Sequence, residues 1–388
     1  MRRACILACL PALLAGCQGR RVTTQPRPRG DPELGALLES VREETRVPGI
    51  AAAVVGGEGV VATAAAGLRR VDEDAALDTS DRFHLGSNTK AMTALVVARF
   101  VERGQLRWET TLAEAFPEWN ASMDAAYRAI PIRDLLRHRA GIAPMMKDDL
   151  WLYQGIFFWQ ALQSLPAQRR IVARNALHHP PSVPPGTFLY SNAGYIIVGA
   201  LLEKMTGKPW EEVIQEELFA PLRMESCGFG QPARGSARGQ PFGHVLHGEQ
   251  YEPTDGDIPA LFGPSGMATC TLADWAVFVR ANMNDPPRPI VNPTTLALLH
   301  ESLPTDRYPD GTPTGGDRIG YAMGWMTWDS PSDRVLFHEG SNDRNYAAVR
   351  ILQRHRLAFL VAVNAGGERA WQAVARAMDR ISARYGGR

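Results

Sequence analysis

Gly86-Ser87-Asn88-Thr89-Lys90 opens directly onto Ala91-Met92-Thr93-Ala94-Leu95-Val96-Val97-Ala98-Arg99-Phe100-Val101, an apolar run whose spacing predicts a helix. Ser87 then stands at the helix N-terminus, with Lys90 one turn along on the same face. A Ser hydroxyl becomes nucleophilic when a neighbouring base takes its proton, and a Lys desolvated by burial has the lowered pKa that suits it to share this work. The free N–H groups of a helix start also lie where an oxyanion would develop. The chain has four Lys and about 15 Ser, so chance gives a Ser-x-x-Lys spacing about 0.15 times. The bland alternative is a Ser that caps the helix beside a solvated Lys.

Two further elements have the same character. Tyr190-Ser191-Asn192, the chain's only Tyr-x-Asn, follows Pro184-Pro185-Gly186 and precedes the apolar run Ala193 to Leu202. A Tyr at such a loop-to-helix junction can point its oxygen into a cleft, where a neighbouring Lys cation would lower the phenol pKa towards general-base use. Asn192 is placed to orient Lys90 and to donate to a substrate amide oxygen. His338-Glu339-Gly340-Ser341 ends a predicted strand whose edge would line the cleft and lend a backbone N–H. His84-Leu85-Gly86 repeats the His-x-Gly pattern beside Ser87, and a lone His is more often a satisfied structural residue.

Outward from these motifs, Leu34, Leu37, Leu38 and Val41 recur at helical spacing within Glu33 to Val47, before Pro48 stops the pattern. Ile50 to Val55 and Val60 to Ala66, joined by Gly56-Gly57-Glu58-Gly59, predict a hairpin of buried strands. Gly320 to Trp328, Arg334 to His338, Asn345 to Leu352 and Leu357 to Val363 repeat the strand character, and Trp371 to Tyr385 predicts a closing helix. The fold class expected is α/β of the α+β kind. One antiparallel sheet of about five strands, from about 33–85 and 315–388, is flanked by N- and C-terminal helices, with a largely helical region over about 100–310.

In chain order, the three motifs resemble those of the serine β-lactamase and penicillin-binding-protein superfamily, especially its class C β-lactamase-like branch of carboxypeptidases, D-aminopeptidases and esterases. The resemblance runs over roughly residues 33 to 380. It includes Ile132-Arg133-Asp134-Leu135-Leu136-Arg137-His138, Ala140-Gly141-Ile142, Pro185-Gly186-Thr187, Gly194-Tyr195, Thr206-Gly207-Lys208-Pro209 and Gly266-Met267. It implies a β-lactamase/transpeptidase-like fold and a serine hydrolase acting through an acyl-enzyme on an ester or amide. By the same resemblance Ser87 is the nucleophile, Lys90 and Tyr190 move its proton, and Ser87 and Ser341 supply the oxyanion N–H groups. Asn192, His338, Gly340 and Ser341 are then substrate-binding. Where true β-lactamases of the branch carry Lys-Thr-Gly, this chain has His338-Glu339-Gly340, and a neutral imidazole binds a carboxylate poorly. Slow β-lactam turnover at best is therefore expected. A second reading is a catalytically silent lipoprotein that binds peptidoglycan or a partner.

The termini and composition bound the rest. Arg2 and Arg3 precede an apolar run, Ala4 to Leu14, which reads as the signal peptide of residues 1–16. At about 11 residues the run is too short for a bilayer, which needs roughly 20. Leu14-Ala15-Gly16-Cys17 resembles a bacterial lipobox, making Cys17 the lipidation site and the protein an anchored periplasmic lipoprotein. Residues 17–32, rich in Pro and Arg, read as a flexible tether, with the hydrolase domain over 33–388. Lys plus Arg number 42 against 41 Asp plus Glu in 388 residues, a balance that excludes nucleic acid as a partner. The expected partner is a small ester, peptide or peptidoglycan-derived substrate, with no cofactor and no metal. Cys227 and Cys270 would share an oxidising compartment, but two buried free thiols are the expected state. Trp151, Tyr153, Phe157, Phe158 and Trp159 are expected to fill core, and Arg344 to be a solvated surface residue.

Overall fold

Strand Gly49–Gly56 (β2) is buried on both faces, and its alternation divides the protein into two cores. Ile50, Ala52 and Val54 point one way and join Leu34, Leu38, Val41, Phe359, Val361, Ala373, Ala377 and Ile381. Ala51, Ala53 and Val55 point the other way and join Leu95, Val349, Leu360 and Ala362, as the two-residue period of a strand requires. The computed structural model describes residues 29–145, 149–155, 163–234, 239–312, 314, 318–329 and 333–386. Cys17, Phe157, Phe158 and Trp159 lie outside them.

In chain order the strands are β1 Arg29–Gly30, β2, β3 Gly59–Gly67, β4 Arg82–His84, β5 Gly228–Phe229, β6 Gly243–His247, β7 Gln250–Thr254, β8 Ala268–Thr271, β9 Leu303–Pro304, β10 Ile319–Tyr321, β11 Met326–Asp329, β12 Arg334–Ser341, β13 Tyr346–Leu352 and β14 Leu357–Val363. The main sheet has the order β1-β3-β2-β14-β13-β12-β11-β10-β9. Its strands pair antiparallel, and Ile50 opposite Val363 joins the two ends of the chain as expected. The sheet has nine strands rather than about five, because short edge strands flank the five long ones. Arg29 and Gly30, within the segment read as tether, pair with Ala65 and Ala64. The single strand expected over Gly320 to Trp328 is a hairpin. It bends at Gly324, whose φ of 84° suits a glycine. A Cβ there would lie 2.6 Å from the Ala91 Cα, so this turn rests on the helix that follows Ser87.

Helix Pro32–Thr45 is capped by Asp31, whose side chain accepts from the Leu34 N–H. It covers one face of the sheet with helix Glu368–Tyr385, whose buried Ala370, Ala373, Val374, Ala377, Met378 and Ile381 form one stripe. On the other face, helix Thr89–Glu102 has eleven of its fourteen residues buried, the mark of a helix enclosed on all sides. The middle of the chain is not wholly helical, since it also carries the β4-β8-β5 sheet and the β6-β7 hairpin. Cys227 and Cys270 form a disulfide with S–S 2.00 Å, against the expectation of free thiols. The reason is register: Gly228 lies opposite Thr269, which brings the flanking cysteines together across adjacent strands. Trp151 and Tyr153 pack on the main core, in keeping with a packing role. Among the described residues no helix is long and apolar enough to cross a membrane.

Candidate active site

Ser87 lies in a 3-10 turn, Gly86–Asn88, that feeds straight into helix Thr89–Glu102. Neither turn nor helix has a side-chain cap, so the capping alternative for Ser87 falls away. Asn88 pins the turn, donating to the carbonyls of Leu85 at 2.7 Å and Ala347 at 3.2 Å. Thr89 Oγ1 donates to Gly86 O at 2.7 Å and accepts from Ala268 N at 3.0 Å. The nucleophile turn is thereby fastened to β13 and β8 before any substrate arrives.

Lys90 is fully buried. Its Nζ lies 3.0 Å from Ser87 Oγ, 2.8 Å from Asn192 Oδ1 and 2.8 Å from Ser265 O. Burial holds its pKa well below the usual lysine value. A neutral amine has two N–H bonds and one lone pair. Asn192 Oδ1 and Ser265 O, both acceptors, take the two hydrogens, which leaves the lone pair facing the Ser87 hydroxyl. The arrangement suits Lys90 to act as a base towards Ser87.

Tyr190 lines the cleft together with Ser87, and Lys90 Nζ lies 4.7 Å from its ring centroid. Burial raises the phenol pKa, only partly opposed by Ser87. This reverses the expectation that a Lys cation would lower it: burial, not Lys90, dominates the phenol and favours its protonated form. Ser191, not Asn192, caps helix Asn192–Thr206, accepting from Gly194 N at 3.0 Å, and so leaves the Asn192 side chain to Lys90.

His338 is buried, and Nδ1 lies 2.6 Å from the Glu339 carbonyl, to which it must donate. Nε2 then accepts from the Tyr321 hydroxyl at 3.2 Å. Burial above all pushes its pKa down to about 3, so it is a neutral structural residue in the cleft wall. Beyond Phe337, β12 has no partner on its β11 side among the described residues, and this edge faces the nucleophile turn. The contact is glycine on glycine. A Cβ on Gly340 would lie 2.2 Å from Leu85 O, and one on Gly86 would lie 2.5 Å from Gly340 C.

Ser87, Tyr190, His338, Gly340 and Ser341 all line one open cleft of about 940 Å3, while Lys90 and Asn192 lie behind its wall. Arg344 does not line it. Arg344 is half-buried rather than solvated, and its guanidinium donates to Asn342 O at 2.9 Å. Sequence reasoning missed the Ser265 carbonyl, a backbone group that leaves no side-chain signal. It also missed the rings around Tyr190: His138 at 4.3 Å and Tyr321 at 6.2 Å between centroids. His138 was legible only as part of a family motif. His178 Nε2 lies 3.0 Å from Ser122 Oγ, and His244 Nδ1 lies 2.6 Å from Asn364 O.

A hydroxyl, an amine and a phenol converging on one cleft, within this antiparallel sheet and helical layer, define a serine hydrolase of the acyl-enzyme type. The chain belongs to the Beta-lactamase family, which it matches over residues 34–382. It is 24% identical to Penicillin-binding protein 4 of Amycolatopsis lactamdurans, over 85% of this chain and 84% of that protein. It is 20% identical to Protein flp of Staphylococcus aureus (strain MW2), over 87% of this chain and 63% of that protein, so it spans less than two thirds of the latter. The crystal structure of D-amino acid amidase from Ochrobactrum anthropi SV3 complexed with L-phenylalanine amide is similar in fold, with a TM-score of 0.69 and 19% identity. The match covers 91% of this chain and 99% of that one.

Proposed function

We propose that this protein hydrolyses an amide or peptide bond in a small substrate bearing a free amine, of the D-amino-acid amide or short-peptide type. The observation that carries the reading is the charge of the cleft. Asp310, Glu339, Asp343 and Glu368 line it, and no Lys or Arg does so among the described residues. His338, at a pKa of about 3, adds no positive charge. Such a wall attracts an ammonium and repels the carboxylate of a β-lactam or a carboxypeptidase substrate. Tyr308, Tyr346 and Trp371 supply aromatic surface beside the carboxylates. The fold shared with a D-amino acid amidase supports the same reading.

In this scheme Lys90 takes the Ser87 proton as Oγ bonds to the carbonyl carbon. The developing oxyanion rests on the Ser87 and Ser341 N–H groups. Tyr190 gives its proton to the leaving nitrogen as the C–N bond breaks. The phenolate so formed regains a proton from the Lys90 ammonium, whose Nζ lies 4.7 Å from the Tyr190 ring centroid, and both groups return to their starting state. Water then repeats the sequence on the acyl-enzyme and frees the acid.

The test combines a fluorophosphonate label with a panel of D-amino-acid amides, their N-acetyl counterparts, p-nitrophenyl esters and nitrocefin. Tagging is expected in the wild type and absent in Ser87→Ala, with free-amine amides turned over at least tenfold faster than N-acetyl ones. Preference for nitrocefin or another anionic substrate would sink the amine reading, and absence of any tagging would leave a binding protein. For the cellular site we propose lipid anchoring in the bacterial envelope through Cys17. The lipobox-like Leu14-Ala15-Gly16-Cys17 and the Cys227–Cys270 disulfide support it. A Cys17→Ala variant that stays in the membrane fraction would refute this.

A further inference from the structure

Behind the cleft, one buried carboxylate joins the two chain segments on which the oxyanion pocket depends. Asp257 stands in the loop after β7 with its side chain 1% exposed. Its Oδ1 accepts from Asn342 Nδ2 at 2.9 Å and from Ile258 N at 2.8 Å. Its Oδ2 faces His84 Nε2 at 3.5 Å, and the His84 side chain is fully buried. On the far side of that ring, Nδ1 accepts the Gly86 N–H at 3.2 Å. This places a ring proton on Nε2, directed at Asp257. Asn342 in turn accepts at Oδ1 from the N–H groups of Arg344 at 3.1 Å and Asn345 at 2.8 Å, which closes the turn from β12 to β13. Asp257 therefore reaches the residue before Ser87 through His84, and the residue after Ser341 directly.

We infer that Asp257 is a positioning residue of the active site, a clamp that fixes the separation of the Ser87 and Ser341 N–H groups. The inference rests on the acyl-enzyme reading. The Gly86–Gly340 contact sets how closely the two segments approach, but contact alone does not stop them parting. Asp257 supplies that restraint with a hydrogen bond from Asn342 to a charged acceptor, about twice as strong as a neutral one, and with its charge facing His84 Nε2 at 3.5 Å. Burial pushes its pKa up, yet His84, Asn342 and the Ile258 N–H outweigh this and hold it below the usual carboxylate value. An oxyanion pocket needs donors at about 2.7–3.1 Å from the developing charge, and a displacement of about 1 Å costs on the order of 100-fold in rate. Asp257 touches no substrate, so its effect falls on the transition state.

Asp257→Asn tests this in the full chain. The amide keeps an acceptor for Asn342 and Ile258 but turns NH2 towards the His84 Nε2–H, so the ring changes tautomer and the Gly86 N–H loses its acceptor. The measurements are kcat and KM on the substrate the wild type hydrolyses best, the affinity of a boronic acid that forms a tetrahedral adduct on Ser87, and the affinity of the product acid. We expect kcat and boronate affinity each to fall about 10- to 100-fold, with KM and product affinity within about threefold. Asn342→Ala cuts the other arm and should give the same signature even if Asp257→Asn fails to fold. The double variant should lose less than the product of the two single losses. Unchanged kcat in the folded variants, or equal losses of boronate and product affinity, overturns the clamp. A wild-type chain that neither hydrolyses nor is tagged at Ser87 overturns the acyl-enzyme reading instead.

Discussion

Gly340 packs against the backbone of Ser87: a Cβ added to Gly340 would fall 2.5 Å from the Ser87 nitrogen. The reciprocal distance, from a Cβ on Gly86 to the Ser341 nitrogen, is also 2.5 Å. Two glycines thus let the strand edge and the nucleophile turn approach more closely than any residue with a side chain would allow. Gly340→Ala must force them apart, because the obstructing atoms are backbone. Its expected effect is a loss of at least about 100-fold in kcat/KM with an unchanged far-ultraviolet dichroism spectrum. Normal rates in a folded variant would mean that this contact does not shape the site.

In the proposed scheme Lys90 acts only while neutral. Its folded pKa is lowered by burial, so activity is lost as pH falls through that lowered value and is full above it. Its contribution to stability has the same sign. In the window between the lowered value and its unfolded value the unfolded chain binds more protons, so stability rises with pH there. Lys90→Arg cannot lose its proton and should cost at least about 1000-fold in kcat. No inflection near pH 6 to 7 should come from His338, whose pKa is about 3. An inflection near pH 6.5 that disappears in His338→Gln would contradict this assignment.

Tyr190→Phe removes the acid while keeping the ring that packs on His138 at 4.3 Å. The variant should fold normally and lose about 100- to 10,000-fold in kcat for amides. Esters, whose leaving groups need less protonation, should suffer less. Equal losses on both would show that the phenol does not serve the leaving group.

Arg169 is fully buried and supports the segment that carries the Ser265 carbonyl. It donates to Leu261 O at 3.0 Å and Ala260 O at 3.1 Å, and pairs with Glu203 at 2.6 Å and with Glu211. Arg169→Met leaves Glu203 buried without its partner, an expected cost of about 3–5 kcal/mol. Denaturant unfolding measures that loss, and a change under about 1 kcal/mol would show that the cluster is solvated.

The Cys227–Cys270 bond closes a loop of 43 residues in sequence separation. A loop of that size stabilises by about 2–4 kcal/mol through restriction of the unfolded chain. The Cys227→Ala/Cys270→Ala variant should melt several degrees lower yet keep wild-type kcat, since neither residue lines the cleft. Identical melting with and without reductant would refute the contribution.

Much of the fold was legible because local rules and tertiary packing agree. Ile50 to Val55 alternates between two cores, and the apolar runs after Lys90 and Asn192 became buried helices. The Gly320 to Trp328 strand was misread because the bend at Gly324 answers to Ala91, over two hundred residues away. The disulfide was missed for a like reason, since strand register is not written in cysteine spacing.

The sequence by itself determined which groups the site holds: a hydroxyl and an amine one helical turn apart, a phenol before a helix, and a His-x-Gly edge without a cation. Only the tertiary structure decided their protonation. Burial favours the neutral amine at Lys90 and the protonated phenol at Tyr190, because desolvation depends on what surrounds a group in space rather than along the chain. The acidic cleft and the Asp257 clamp have the same origin. Their members come from distant segments, and their effect arises only at the distances the fold imposes.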